Sequence, residues 1–167
     1  MKETENAKDT RDTKHSFIPD EDYKKIMEIM PIPTVDIVIF HPDKTKVLLF
    51  LRKNKPAQGY YYALGGRIHK GESLTESAMR KAKEELHLTL EENDLFFGGV
   101  IDEFFEDSRF DGVAMHSLNS FFGYVLGESA IWKFDTTQFE DAKWFDILDD
   151  KLHPFMKQKL DILKKIL

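Results

Sequence analysis

One segment narrows the possible folds more than any other: Gly65-Gly66-Arg67-Ile68-His69-Lys70-Gly71-Glu72-Ser73, which leaves an apolar stretch and enters a helix. Ser73 with Glu76 forms a capping box, and Leu74, Ala78, Ala82 and Leu86 recur at four-residue spacing. This predicts a helix over 73–86 entered from a glycine-rich loop. Glycines permit positive φ and close backbone approach, and the first turn of a helix carries unpaired N–H groups. Such a loop is either an ordinary turn or a place to hold phosphate or present carbonyls to a metal.

The flanking sequence supplies a sheet. Segments 34–40 and 46–51 are rich in Val, Ile, Leu and Phe and are separated by His41-Pro42-Asp43-Lys44, so they read as strands joined by a turn. A short strand is expected over 60–64, ending at Gly65-Gly66, and further strands over 95–105, 118–126 and 142–146. Segment 118–126 is uncharged and so belongs inside the sheet. A helix over 20–30 starts with three acids at its positive end and is stopped by Pro31 and Pro33. Pro154 opens a last helix with Phe155, Met156, Leu160, Leu163, Ile166 and Leu167 on one face. Strands and helices mixed in this order predict an α/β chain with a mixed sheet and helices packed on it. Within the apolar 34–40 strand, Asp36 is either functional or half of a buried pair.

Composition excludes several classes. Lys and Arg number 24 against 30 Asp and Glu, a net charge of −6 that argues against nonspecific nucleic-acid binding. With no cysteine, a disulfide scaffold, thiol catalysis and sulfur-ligated zinc are ruled out. No window approaches the roughly 20 apolar residues of a membrane helix. The charged start lacks the hydrophobic stretch of a secretory signal. The expectation is a cytoplasmic protein with a disordered tail over 1–17 and one domain over 18–167.

On the helix over 73–86, Arg80 and Glu84 are one turn apart, as are Lys81 and Glu85. Glu72 stands where it can reach the loop or pair with Arg80. A solvated charged face is the ordinary explanation of such a run. The order Gly66, Glu72, Arg80, Glu84-Glu85 and Leu88, with its spacing, resembles the box of the Nudix hydrolases. The departures are Lys81 where the family has a metal-binding Glu, Ala82 as a weak apolar residue, and His87 in place of the closing Gly. The resemblance implies a Nudix-type α/β/α sandwich. Lys81 makes a multi-metal site unfavourable and leaves room for a single ion, because hard cations want carboxylate and carbonyl oxygens.

Asn54-Lys55-Pro56-Ala57-Gln58-Gly59-Tyr60-Tyr61 ahead of the glycines resembles the GDP-mannose mannosyl hydrolase branch of that family. The resemblance implies metal-dependent hydrolysis of a GDP-mannose-like nucleotide sugar, with water attacking the anomeric carbon. It implies one Mg2+, or Mn2+, held by the Gly65 carbonyl, Glu85 and Gln138. It places Asp36 against the sugar and Arg52 and Arg67 near the diphosphate, where Arg67 also serves catalysis. The branch takes its general base from a histidine directly after that glutamine, and here Phe139 stands there. Glu140, Glu84 and His116 are then the candidate bases, Glu140 first. Phosphorus attack on a nucleoside diphosphate derivative, and a nucleotide-sugar binding module that has lost catalysis, stay open as alternatives. A homodimer is expected from the resemblance, with the 20–30 helix as a candidate contact. Neither nucleic acid nor a membrane is expected as a partner.

Overall fold

The computed structural model describes residues 17–167, so the tail expected over 1–17 lies, Phe17 apart, outside the described residues. The spine of the sheet is β1 (Ile32–Phe40), a run of apolar residues broken by Pro33, Thr34 and Asp36. Along one edge it pairs parallel with β6 (Met115–Val125) from Ile32↔Ser117 to Phe40↔Val125. Its other edge is divided. There β2 (Lys46–Arg52) pairs antiparallel at Ile39 and Phe40, while β4 (Leu64–Arg67) pairs antiparallel from Thr34 to Ile37. Beyond β6 lies β5 (Phe96–Phe105), and β2 also carries β3 (Tyr61–Tyr62) and β7 (Phe139–Asp146), all antiparallel. One parallel pair among antiparallel ones makes the sheet mixed, as expected.

Helices cover both faces. On one, α2 (Leu74–Leu86) lays Ala78, Ala82 and Leu86 against Val35, Ile37 and Phe122. On the other, α3 (Pro154–Leu163) lays Met156, Leu160 and Leu163 against Val38, Phe40 and Phe121. Alternate β1 residues serve alternate layers, as the two-residue period of a strand requires. The result is the α/β/α sandwich. Because both layers are covered, Phe121 and Phe122 are both buried although neighbouring strand residues point to opposite faces. Phe104 of β5 is exposed. The first helix, α1 (Asp20–Ile29), packs Met27 with Ile32 and Val113 of its own chain.

Several boundaries move. The strand expected over 60–64 divides into β3 and β4, and β4 runs through Gly65 and Gly66 because its ladder with β1 continues to Arg67. Backbone pairing also starts β1 at Ile32, β6 at Met115 and β7 at Phe139, ahead of the apolar runs that announced them. The capping box of α2 forms as expected, with Ser73 and Glu76 each holding the other's backbone N–H. His87 closes the helix in the left-handed region at φ 53°, a conformation His adopts more readily than most residues.

Candidate active site

α2 points its charged residues in two directions. Glu72, at its entrance, accepts hydrogen bonds from Arg80 at 2.6 and 2.9 Å, from the Ser77 hydroxyl at 2.5 Å and from the His69 backbone at 3.0 Å. Burial pushes the Glu72 carboxyl up, but these donors outweigh it and hold it at about 2. Arg80 also donates to Glu84 at 3.2 Å and to the Arg67 carbonyl at 3.2 Å. Glu85 instead shares the core-facing stripe with Ala78, Ala82 and Leu86 and is buried. Its Oε1 stands 2.5 Å from Lys81 Nζ, whereas Oε2 is buried with no hydrogen-bond partner among the described residues. Burial raises the Glu85 carboxyl above the ordinary range, although Lys81 and Arg52 pull it back.

The segment before β7 is tied to the end of α2. Asp135 donates its N–H to the Glu85 carbonyl at 2.8 Å and Lys133 to the Leu86 carbonyl at 3.1 Å, satisfying carbonyls that a helix end leaves open. Gln138 follows in a turn closed onto Asp135, and its carbonyl accepts from the Lys53 backbone at 3.1 Å. Glu85 and Gln138 therefore belong to adjoining segments although far apart in sequence.

On the α3 side of the sheet lies a cavity of about 180 Å³. Its charged floor combines Asp36 of β1 and Glu103 of β5 with Tyr62 of β3. Beneath them sits Lys159 of α3, fully buried, which pairs with Asp36 and stands 2.7 Å from Glu103 Oε1. The Tyr62 hydroxyl donates to the same Glu103 oxygen at 2.5 Å. Burial pushes the Glu103 carboxyl up; Lys159 opposes this and the Asp36 charge adds to it. Burial likewise raises the Tyr62 phenol, with the Glu103 and Asp36 charges adding to the effect. Two carboxylates thus share one ammonium.

Asp36 is half of a buried pair, one of the two readings its sequence context allowed, and it also forms part of the cavity wall. Opposite it, Gly65 admits no side chain: a Cβ there would come within 2.1 Å of Asp36 Oδ1 and 2.2 Å of the Val35 carbonyl. Close approach is what this glycine provides. The positive φ in the loop falls on Gly71 at 88°. Neutral donors and acceptors line another wall, where Asn119 Nδ2 donates to Thr34 Oγ1 at 2.8 Å and Asn119 Oδ1 is buried without a partner among the described residues. Arg52, Lys55, Arg67 and Arg109 form the basic side of the cavity. Arg52, Lys55 and Arg109 continue into a neighbouring cleft of about 570 Å³, which adds Lys53, Gln58 and Gln138.

Of the expected site residues, Asp36, Arg52, Arg67 and Gly65 thus meet in the cavity, and Gln138 lies in the adjoining cleft. Glu84 pairs with Arg80 on the half-exposed side of α2, and Glu140 is exposed on β7; neither lines the cavity. His116 faces away from it, since Met115, Ser117 and Asn119 of the same strand line it, and it pairs with Asp102 at 2.8 Å. Phe139 is core, buried against Phe50 at 5.1 Å between ring centroids. Sequence reasoning missed Glu103, Lys159 and Arg109. The readable signal was Lys159, a cation on the same helical stripe as Met156, Leu160 and Leu163.

Comparison with known proteins identifies the family and the fold. The NUDIX domain family model matches residues 30–166. The chain is 33% identical over 147 residues to the low-salt glycan biosynthesis protein Agl8 of Haloferax volcanii, covering 87% of this chain and 90% of that protein. Among solved structures, the MutT NUDIX hydrolase of Burkholderia pseudomallei superposes with a TM-score of 0.65 at 20% identity, over 80% of this chain and 98% of that one. The NUDIX domain of Shewanella oneidensis NrtR, complexed with ADP ribose, gives 0.64 at 21% identity over 89% and 99%.

Proposed function

The chain belongs to the Nudix family, and on that premise we propose that it is a metal-dependent hydrolase of a GDP-mannose-like nucleotide sugar in which water attacks the anomeric carbon. The observation that carries this reading is the division of charge across two connected clefts. The cavity has an acidic floor and neutral hydrogen-bonding walls, while the side it shares with the neighbouring cleft is basic through Arg52, Lys55 and Arg109. A sugar offers hydroxyl donors, which carboxylate and amide oxygens accept. A diphosphate offers anionic oxygens, which an arginine fork holds in a fixed geometry. The glycan-biosynthesis role in the name of the Haloferax relative supports a sugar-bearing substrate.

In this reading Asp36 and Asn119 Oδ1 accept hydroxyl hydrogens of the sugar. Arg52 and Arg67 hold the diphosphate and offset the charge that grows on it as it leaves. Nudix hydrolases are in general dependent on divalent metal. The donor set of Gly65 carbonyl, Glu85 and Gln138 is all oxygen, which suits Mg2+ or Mn2+, and the unpartnered Glu85 Oε2 is a buried oxygen that a cation would satisfy. When bound, such an ion supplies further neutralisation of the departing diphosphate. Arg80 compensates Glu72 and Glu84, and Lys81 compensates one Glu85 oxygen, which favours one ion over the several that would activate water for attack on phosphorus. Neither Glu84 nor Glu140 is the base in this proposal, because neither lines the cavity.

Incubation with a panel of nucleotide sugars and Mg2+ or Mn2+ tests the reading. Free reducing sugar with nucleoside diphosphate, dependent on metal, is the expected result. Sugar phosphate with nucleoside monophosphate would assign the reaction to phosphorus. Tight binding without turnover at any metal level would make the chain a binding module. The expected homodimer belongs to the same proposal, and light scattering at micromolar concentration should give the dimer mass; a monomer mass would remove it.

A further inference from the structure

We propose that Glu103 is the general base that takes the proton from the attacking water, in the role of the histidine whose sequence position Phe139 fills; this rests on anomeric attack as proposed above. Four observations lead to Glu103 rather than to another acid. It lines the cavity, as Glu84 and Glu140 do not. It is buried, so its carboxylate is held in one position by its surroundings. Its two donors, Tyr62 at 2.5 Å and Lys159 at 2.7 Å, both stand at Oε1, so neither of them occupies Oε2. Asp36, the other acid of the floor, is already engaged: Oδ2 takes Lys159, and Oδ1 is the oxygen that accepts from the sugar in the reading above.

The surroundings suit the role. The groups facing Glu103 are Tyr62 from β3, Lys159 from α3 and Asp36 from β1, with Arg52, Lys55, Arg67 and Arg109 around the rest of the cavity. Burial lifts the Glu103 carboxyl above the ordinary carboxylate range, which makes its ionised form a stronger base. Lys159 and Tyr62 limit that rise and orient the group; they are positioning residues. In the step itself, the water oxygen bonds to the anomeric carbon as the bond from that carbon to the diphosphate oxygen breaks. The bonding pair leaves on the diphosphate and the water proton passes to Glu103 Oε2. The products are the free sugar with inverted configuration and the nucleoside diphosphate.

The test compares the wild type with Glu103→Gln and Glu103→Ala on the nucleotide sugar that the wild type turns over. Glu103→Gln keeps an oxygen for Tyr62 and Lys159, so a folded protein is expected, checked by its circular dichroism spectrum and melting curve. Its kcat should fall about 10²–10⁴-fold with little change in KM. Glu103→Ala should regain turnover with added formate, a small external base. With azide it should form the glycosyl azide, because azide needs no base. If Glu103→Gln keeps activity within threefold, or Glu103→Ala is rescued by neither anion, Glu103 is not the base, although anomeric hydrolysis stands. If the wild type releases sugar phosphate, or turns over no nucleotide sugar, the anomeric reading fails and this assignment with it.

Discussion

Two clusters of charge flank the sheet, and they are built on opposite plans. The cluster on α2 is local. Glu72, Arg80, Lys81, Glu84 and Glu85 lie within four turns of chain, and each cation sits one turn from an acid. The cluster under the cavity draws single residues from β1, β3, β5 and α3, and its one ammonium serves two carboxylates in a fully buried setting. In the first, loss of Arg80 leaves Glu72 with its Ser77 and His69 donors and leaves Glu84 to solvent. In the second, Lys159 is, among the described residues, the one cation within ion-pair distance of both carboxylates. The local cluster therefore tolerates damage, and the assembled one is where stability and chemistry concentrate.

Removing the central cation of each cluster should break this comparison most visibly. Lys159→Met leaves two acids buried without their counterion and should cost about 3–5 kcal/mol in urea unfolding. Arg80→Met leaves Glu72 with Ser77 and the His69 N–H and should cost less, about 1–3 kcal/mol. Equal or reversed losses would mean that the two clusters do not differ in kind.

Stability against pH should separate them by sign. The Glu72 carboxyl is lowered to about 2, so its contribution is present above its unfolded value and is lost as pH falls through about 2. The Glu103 carboxyl is raised, so its contribution is present at low pH and is lost as pH rises through the folded-state value. Melting temperatures across pH should show Glu72→Gln flattening the acid side of the curve and Glu103→Gln flattening the other. The same slope change in both variants would contradict the assignment.

Smaller effects sharpen the picture. Lys81 Nζ neutralises one oxygen of Glu85, so Lys81→Gln should bind Mn2+ about tenfold more tightly by calorimetry, as loss of a like charge a few ångströms away requires. Unchanged affinity would place the ion away from Glu85. Tyr62→Phe removes one of the two donors on Glu103 Oε1 and should cost about 0.5–1.5 kcal/mol. No loss at all would show that Lys159 holds Glu103 alone.

The same division explains what the sequence could convey. The α2 cluster was legible because helix geometry converts spacing into contact: Arg80 with Glu84 and Lys81 with Glu85 follow from one turn of α-helix. The capping box and the layer structure were legible for the same reason, since they depend on local pattern. Glu103 and Lys159 were not, because their meeting depends on the register of β5 against β6 and on where α3 lands across the sheet. Asp36 was flagged by its apolar strand, yet its partner lies 123 residues away. Phe139 stands where the resemblance puts the base, and it is a core residue packed on Phe50, whereas Glu103, which lines the cavity, comes from a different strand. Among the described residues no helix is long and apolar enough to cross a membrane, which agrees with the apolar-window reading.

The central claim is that the bond broken lies between carbon and oxygen. It is tested most directly by running the reaction in 18O-enriched water and following phosphorus by NMR. The account predicts that a nucleoside diphosphate accumulates with no isotope shift on either phosphorus, because the label goes to the sugar. An 18O-shifted monophosphate ester would show that water attacked phosphorus and would contradict the account.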